Sequence, residues 1–137
     1  MVIQKRLEFS TRGNGDILDI TPQVAQAVAE SRVETGVAVL FVVGSTAALT
    51  LNENEPGLLA DLRALLEGLV PRQGEYRHNL AWAEKNAHAH LRTCLLGFSL
   101  SLPVQEGKLL LGTWQQVLLL DWDTRPRSRH LLLHILS

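Results

Sequence analysis

The sequence predicts an α+β fold, with a mainly antiparallel sheet or sandwich and a few helices packed on it. Three observations carry this prediction. Residues 37–43 are continuously apolar and rich in β-branched side chains, as in a buried strand. Residues 58–69 repeat leucine at helical spacing. From residue 99 onward, several strand patterns follow one another without a helix between them, which favours antiparallel hairpins.

The first elements alternate between strand and helix. An opening strand over residues 2–10 meets a turn at Gly13–Gly15. A helix begins at Thr21–Pro22, with the threonine oxygen as its N-cap, and Gly36 ends it. The apolar strand over residues 37–43 follows at once. We expect this strand to be central and covered on both faces.

The later helices and strands are predicted from the same kinds of sequence pattern. The strand resumes over residues 47–51 and stops at the polar run 52–57, so a buried strand delivers carboxylates at its end. The leucine-rich helix comes next and is closed by Pro71. After a histidine-rich segment, strands are expected over residues 99–104, from Gly107 to Trp114, and over residues 116–121 and 130–136.

Size, charge and composition set the outer bounds. The chain has 137 residues, and we expect one domain over residues 1–137. A formal charge of −1 gives no overall attraction for a polyanion, so nucleic acid is not an expected partner. No apolar stretch is long enough to span a bilayer, and the start of the chain lacks the apolar core of a signal peptide. We therefore expect a cytoplasmic protein without a membrane partner.

Three of the five histidines fall within residues 76–90 and point to chemistry. If residues 80–94 form a helix, side chains two residues apart point about 200° apart, so only one of His88 and His90 can face a given site. Small residues share a helical row with His90, whereas His88 shares a row with charged residues. The prediction is that His90 faces inward and His88 outward. His78, in the preceding loop, can fold back to the same place.

The most specific functional hypothesis is a metal site. His78 and His90, with Glu53 from the end of the buried strand, form a two-histidine, one-carboxylate set suited to zinc or another divalent ion such as magnesium. The alternative is structural. In that case His78 caps a loop, His90 is a satisfied core histidine, and Glu53 favours the start of a helix through the helix dipole.

Candidate phosphate ligands lie in two other segments. Ser45 and Thr46 follow a strand and could bind phosphate, although small residues at a strand interruption usually form a bulge. Arg125, Arg127 and Arg129 could clamp phosphate or pyrophosphate, or could instead lie in a solvated turn paired with the nearby aspartates Asp121 and Asp123.

Several runs of residues resemble one family. The sequence is similar to the YjbQ-like secondary thiamine-phosphate synthase family in residues 47–54, the His78 loop, His90–Leu91 with residues 95–97, residues 102–104, and residues 111–115. The match extends from about residue 4 to residue 136, and the run Gly112–Gln115 is its most specific part.

The resemblance implies a compact β-rich fold, a homotrimer with sites near subunit boundaries, and a weak secondary activity. That activity joins an aminopyrimidine diphosphate to a thiazole phosphate and releases pyrophosphate. The positions that match recurring family residues are Glu53, His78, His90, Thr113, Trp114, Gln115 and Arg129.

One position departs from the family. Gly44 stands where members commonly have histidine, so one expected imidazole is absent. Either Glu53 or water completes the coordination, or His88 leaves the regular helix to compensate, or the metal site is degraded.

The leading functional hypothesis is a metal-assisted enzyme that acts on a small phosphorylated metabolite. Arg129, with Arg127, would stabilise the leaving pyrophosphate. His78 or His90 would hold the metal or move a proton, and Glu53 becomes the general base if both histidines bind metal. The alternatives are a non-catalytic trimeric module that binds a phosphorylated ligand or a metal, and a purely structural trimer.

Overall fold

Eight strands form two antiparallel sheets, and four helices accompany them. A computed structural model describes all residues, Met1–Ser137. In chain order the elements are β1 (Val2–Thr11), β2 (Asp16–Asp19), α1 (Thr21–Ser31), β3 (Thr35–Val43), β4 (Ala47–Asn52), α2 (Pro56–Leu69), α3 (Arg77–Ala81), α4 (Ala87–Leu96), β5 (Ser99–Gln105), β6 (Lys108–Leu109), β7 (Gln116–Asp121) and β8 (Arg127–Leu136). The larger sheet has the order β1-β8-β3-β5-β6 and the smaller one β2-β7-β4. The predicted α+β class with antiparallel strands is confirmed.

Two apolar layers enclose the smaller sheet. The main core contains side chains from β3, β5 and β8 of the large sheet, from β4 and β7 of the small sheet, and from α1. On the other side of the small sheet, Leu118 and Leu120 of β7 pack with Leu66 of α2 and Ala89 of α4. As a result β7, rather than β3, is the strand that is covered on both faces.

Strand β3 is central, as predicted, but it is not covered on both faces. It lies third of five in its sheet, and its burial alternates along the strand. Val37, Phe41 and Val43 point outward and are exposed, because no helix covers that face of the large sheet. The sequence is continuously apolar here because the exposed residues of the outer face are apolar as well as the buried residues of the inner face.

The predicted ends of the first helix are wrong in detail. Thr21 is the first residue of α1 rather than its cap, and its hydroxyl accepts a hydrogen bond from the backbone N–H of Val117 at 2.7 Å. The helix ends at Ser31 and is capped by Arg32, which adopts a left-handed conformation with φ of 59°. Gly36 lies within β3 instead, where a β-carbon would come within 2.1 Å of the Leu136 carbonyl oxygen. Close strand approach explains this glycine better than a helix end does.

The predicted helix over residues 80–94 is two shorter helices. Residues 82–86 separate α3 from α4, and Trp82 is extended. The Asn79 side-chain oxygen accepts a hydrogen bond from the Ala87 backbone N–H at 3.1 Å, so α3 caps the start of α4 across the break. None of the four helices is long and apolar enough to cross a lipid bilayer.

The predicted strand from Gly107 to Trp114 is mostly a loop. Only Lys108 and Leu109 pair with β5. The following loop is held by the Gln115 side chain, whose oxygen accepts a hydrogen bond from the Gly112 backbone N–H at 2.8 Å. Trp114 is 69% exposed on this loop and does not belong to the core.

Candidate functional site

His78 and His90 lie together in a cleft beside the break between α3 and α4. Their ring centroids are 4.8 Å apart, and the ring planes are inclined at 73°. The cleft has a volume of about 400 Å³ and is also lined by Trp82, Glu84 and Asn86, all from the break. We call it the histidine cleft. The break between α3 and α4 therefore forms the wall of the cleft into which the two imidazoles open.

The predicted orientation of α4 is wrong. His88 is buried, together with Ala89, Arg92 and Thr93, whereas His90 is only half-buried. Ala89 is the small residue that lets α4 pack closely on the smaller sheet, so the buried face lies one position away from the row inferred from sequence. His88 lines a different cleft on the other side of α4 and does not complete the histidine pair.

The electrostatic surroundings of His90 favour its neutral form. Burial lowers the pKa of its imidazole, and the neighbouring His78 lowers it further. Asp123, the backbone of Ser45 and Glu84 act in the opposite direction, but the net shift of the pKa is downward. A neutral imidazole keeps a free lone pair, which is the form that binds a metal or accepts a proton. The histidine cleft lies near the start of β4, because Asn86 in its wall bonds to Asp123, which also bonds to Thr46.

Asp123 connects the histidine cleft to the interior. Its carboxylate accepts hydrogen bonds from the Asn86 side chain at 3.3 Å, from the Thr46 hydroxyl at 2.9 Å and from Arg127 Nε at 2.9 Å. Burial acts to raise the pKa of Asp123, but these bonds, the Thr124 backbone N–H and the Arg127 charge outweigh it and lower the pKa. Asp123 is therefore a buried, ionised carboxylate.

Arg129 is the second charged centre of this network. Its guanidinium donates from Nε and Nη2 to the two oxygens of Asp121 at 2.7 and 2.9 Å, and from Nη2 to the Thr46 hydroxyl at 2.7 Å. Arg129 is 6% exposed and Asp121 is fully buried. The Nη1 group donates to no residue of the chain and faces Gly44, where a β-carbon would lie 2.9 Å away. A side chain at position 44 would occupy the space next to this free donor.

Arg127 and Arg129 thus pair with the two aspartates that the sequence alternative named, whereas Arg125 pairs with Glu84. Arg127 and Arg129 belong to strand β8 rather than to a solvated turn, and Arg129 lies on the inward face of β8 with Leu131 and Leu133. Thr46 accepts from Arg129 and donates to Asp123, so it links the two ion pairs. It belongs to this network and is not left free as a simple phosphate ligand.

Glu53 lies in a separate cleft. That cleft has a volume of about 390 Å³ and contains Thr113 and Trp114 but neither histidine. We call it the tryptophan cleft. Ser45 precedes β4 and Glu53 follows it, and a six-residue strand spans roughly 20 Å. Because the two positions lie at opposite ends of β4, one chain does not assemble the predicted set of two histidines and Glu53, and no group of three acids, histidines or cysteines is placed to hold a metal.

Sequence reasoning did not identify Asn86 or Glu84 as site residues. It named Asp121 and Asp123 but did not predict that they accept the hydrogen bonds of a buried network. The usable signal was the alternation of charged residues at the end of β7 and the start of β8, which are joined by a short connection. Charges that continue an inward-facing strand row must be paired, since isolated buried charges are very costly.

Comparison with known proteins places this chain in a family. The model of the family described as UPF0047 protein YjbQ-like matches residues 5–137. The chain belongs to the YjbQ-like UPF0047 family. The family resemblance noted from the sequence is therefore confirmed.

Relatives of this YjbQ-like chain are known from archaea and bacteria. A UPF0047 protein of Archaeoglobus fulgidus is 42% identical and covers 95% of this chain and 98% of its own. The UPF0047 protein YjbQ of Escherichia coli O157:H7 is 33% identical over 96% of both chains. A crystal structure of a YbjQ-like protein of unknown function from Sulfolobus solfataricus P2 superposes with a TM-score of 0.94 at 37% identity, covering 100% of this chain and 98% of that chain.

Proposed function

We propose that this protein is a metal-assisted enzyme that acts on a small phosphorylated metabolite, with thiamine-phosphate synthase activity as a weak secondary reaction. The observation that carries the proposal is the histidine cleft, where two imidazoles lie 4.8 Å apart beside a buried carboxylate and arginine network. Clustered imidazoles in an open cleft are chemically useful and contribute little to packing.

His78 and His90 are the residues that would hold a divalent ion. Neutral imidazole nitrogen favours zinc over magnesium, because magnesium prefers oxygen ligands. Two protein ligands leave positions for water, for phosphate oxygens or for a carboxylate from another subunit. A bound cation would supply Lewis-acid stabilisation of negative charge on a phosphate group.

Arg129 would contribute fixed positive charge to the same reaction. Two of its nitrogens are held by Asp121 and Thr46, which orients the guanidinium, and its Nη1 group remains available beside Gly44. A donor that is already oriented needs no rearrangement when charge develops on a leaving pyrophosphate. The absence of a side chain at Gly44 leaves room for a phosphate oxygen there.

A homotrimer would explain why Glu53 is remote from the histidines. The outer face of the large sheet exposes a contiguous apolar surface, in which Phe41 pairs with Leu132 and Val37 with Leu136. Apolar surfaces of this kind commonly mark association sites. In such an assembly the tryptophan cleft of one subunit could face the histidine cleft of the next, and Glu53 would then serve as the general base across the boundary.

Metal binding and turnover test the proposal separately. Chelated protein is titrated with zinc, and thiamine phosphate formation is measured with the aminopyrimidine diphosphate and thiazole phosphate. We expect His90→Ala and His78→Ala to lose zinc binding and turnover, whereas Cys94→Ala, which removes an exposed thiol of α4 that lines neither cleft, retains both. Zinc binding without turnover would favour the non-catalytic module, and unchanged zinc binding in His90→Ala would refute the site.

The contribution of Glu53 has its own test. Glu53→Gln and His90→Ala proteins are each inactive under the proposal. Unfolding and refolding them together should restore turnover, because some mixed assemblies contain an intact pair of clefts. If no activity returns although mixed assemblies form, Glu53 does not act across a subunit boundary.

A further inference from the structure

A third cleft lies on the other side of α4, away from the histidine cleft. Its volume is about 390 Å³, and it shares no lining residue with the histidine or tryptophan clefts. Its charged and polar walls are Arg63, Glu67, Arg72, His88, Arg92 and Trp122. We call it the arginine cleft. Three arginines face one carboxylate there, so the cleft is locally cationic in a chain whose net charge is −1.

Arg92 is the fixed part of this cleft. It is 7% exposed, and it donates to the Val70 carbonyl from Nε at 3.1 Å and from Nη2 at 2.9 Å. Nη2 also contacts Glu67 at 2.8 Å, and the guanidinium lies 5.2 Å from the centre of the Trp122 ring. Its Nη1 group has no hydrogen-bond partner in the chain. One guanidinium donor of a buried, oriented arginine is therefore left for a ligand.

The other two arginines have free donors. Arg63 uses only Nε, which donates to the Gly15 carbonyl at 3.1 Å. Gly15 has φ of +85°, and a β-carbon there would lie 3.3 Å from the Trp122 ring, so glycine allows the loop to run closely over the indole and present that carbonyl. The exposed Arg72 side chain makes no hydrogen bond, because only its backbone N–H is engaged, by Glu67.

Two buried nitrogens in the same wall lack partners. His88 Nδ1 and Trp122 Nε1 are shielded and form no hydrogen bond with the chain. The indole N–H can only donate, so it requires an acceptor. Leaving buried polar groups unpaired is unfavourable, and such groups in native proteins usually meet a water or a ligand.

We propose that the arginine cleft binds a phosphate-bearing small molecule, at a site separate from the histidine cleft. Guanidinium groups match tetrahedral oxyanions in charge and geometry, and the unpaired Nη1 group of Arg92 supplies a donor that is already oriented. The cleft has a volume of about 390 Å³, which suits a small anion better than an extended polymer. This site does not depend on a metal at His78 and His90.

The test uses the full chain with inorganic phosphate and pyrophosphate as probes. Calorimetric titration at low and moderate salt should detect binding that weakens as salt rises. We expect Arg72→Ala and Arg63→Ala each to weaken binding about tenfold, the effect of losing one charged hydrogen bond. Both side chains are exposed, so the variants should fold normally. Lys108→Ala, which removes an exposed charge in β6, should bind as the unaltered chain does.

A spectroscopic readout locates the site. In a nitrogen–proton correlation spectrum, the Trp122 indole signal, assigned with Trp122→Phe, should shift when phosphate is added. His90→Ala should leave both the shift and the affinity unchanged, which separates this site from the histidine cleft. The proposal is overturned if neither probe binds at millimolar concentration, if Arg63→Ala and Arg72→Ala bind normally, or if binding is lost in His90→Ala with no change at Trp122.

Discussion

Replacing Arg129 with methionine should destabilise the fold strongly. The substitution keeps the apolar stem but removes three charged hydrogen bonds, two to Asp121 and one to Thr46. It also leaves Asp121, which is fully buried, without its counter-charge. Breaking a buried ion pair by removing one partner costs about 3–5 kcal/mol. For a chain of this length, that corresponds to a fall in melting temperature of about 10–17 °C.

Urea unfolding followed by tryptophan fluorescence measures this loss, because Trp122 is buried in the folded chain. Arg125→Met is the matched control. Its side chain is 60% exposed and pairs only with Glu84, so its loss should cost less than about 1 kcal/mol. A destabilisation of Arg129→Met no larger than that of the control would refute the view that the buried network supports the fold. Adding Asp121→Asn to Arg129→Met should recover part of the lost stability, because it removes the buried carboxylate charge that no longer has a partner.

Three further outcomes follow from the structure. The pKa of Asp123 is lower in the folded chain, so its ionised form stabilises the fold above about pH 4 and that contribution is lost as the pH falls further. Urea unfolding from pH 6 to 3 should show this loss, and Asp123→Asn should flatten it. Gly36→Ala should lower the free energy of unfolding by about 1–3 kcal/mol, because its β-carbon would meet a carbonyl oxygen at 2.1 Å. Gly68→Ala, in open space on α2, should raise it by about 0.5–1 kcal/mol. An equal effect of the two substitutions would contradict this. Under the proposed homotrimer, Phe41→Glu should reduce the particle mass measured by light scattering to that of one chain, whereas Leu69→Glu should not. A mass unaffected by Phe41→Glu would rule out the large sheet as the association surface.

Local patterns in the sequence were sufficient for the fold class and for most elements. Alternation and helical spacing depend only on neighbouring residues, so the strands at residues 2–10, 47–51 and 116–121 were predicted nearly at their observed bounds. Two failures came from information that is not local. Whether the outer face of β3 is covered depends on what packs there. The break at residues 82–86 is bridged by a hydrogen bond from the Ala87 backbone N–H to the Asn79 side chain, eight residues away, which helical spacing does not encode.

The candidate site was predicted in part for similar reasons. His78 and His90 are close in sequence, and the short connection between them limits how far apart they can lie. Glu53 was assigned to the same site because the end of the buried strand was expected to lie beside the two histidines. That argument did not specify which end of β4 the histidines approach, and they approach the end at Ser45. The arginine cleft combines α2, α4 and a loop near Gly15, a combination that no local pattern encodes.

The position of Arg129 on β8 has a consequence for how the strands align during folding. Inward-facing Leu131, Leu133 and Ile135 are nearly interchangeable, so a shift of β8 by two residues would keep every apolar side chain on the correct side. A shift that brings Leu131 to the position of Arg129 would place a leucine against the buried carboxylate of Asp121, and the opposite shift would bring Arg127 there and take it away from Asp123. The two arginines at the start of that row therefore distinguish the native alignment from its nearest competitors, where the leucines alone cannot.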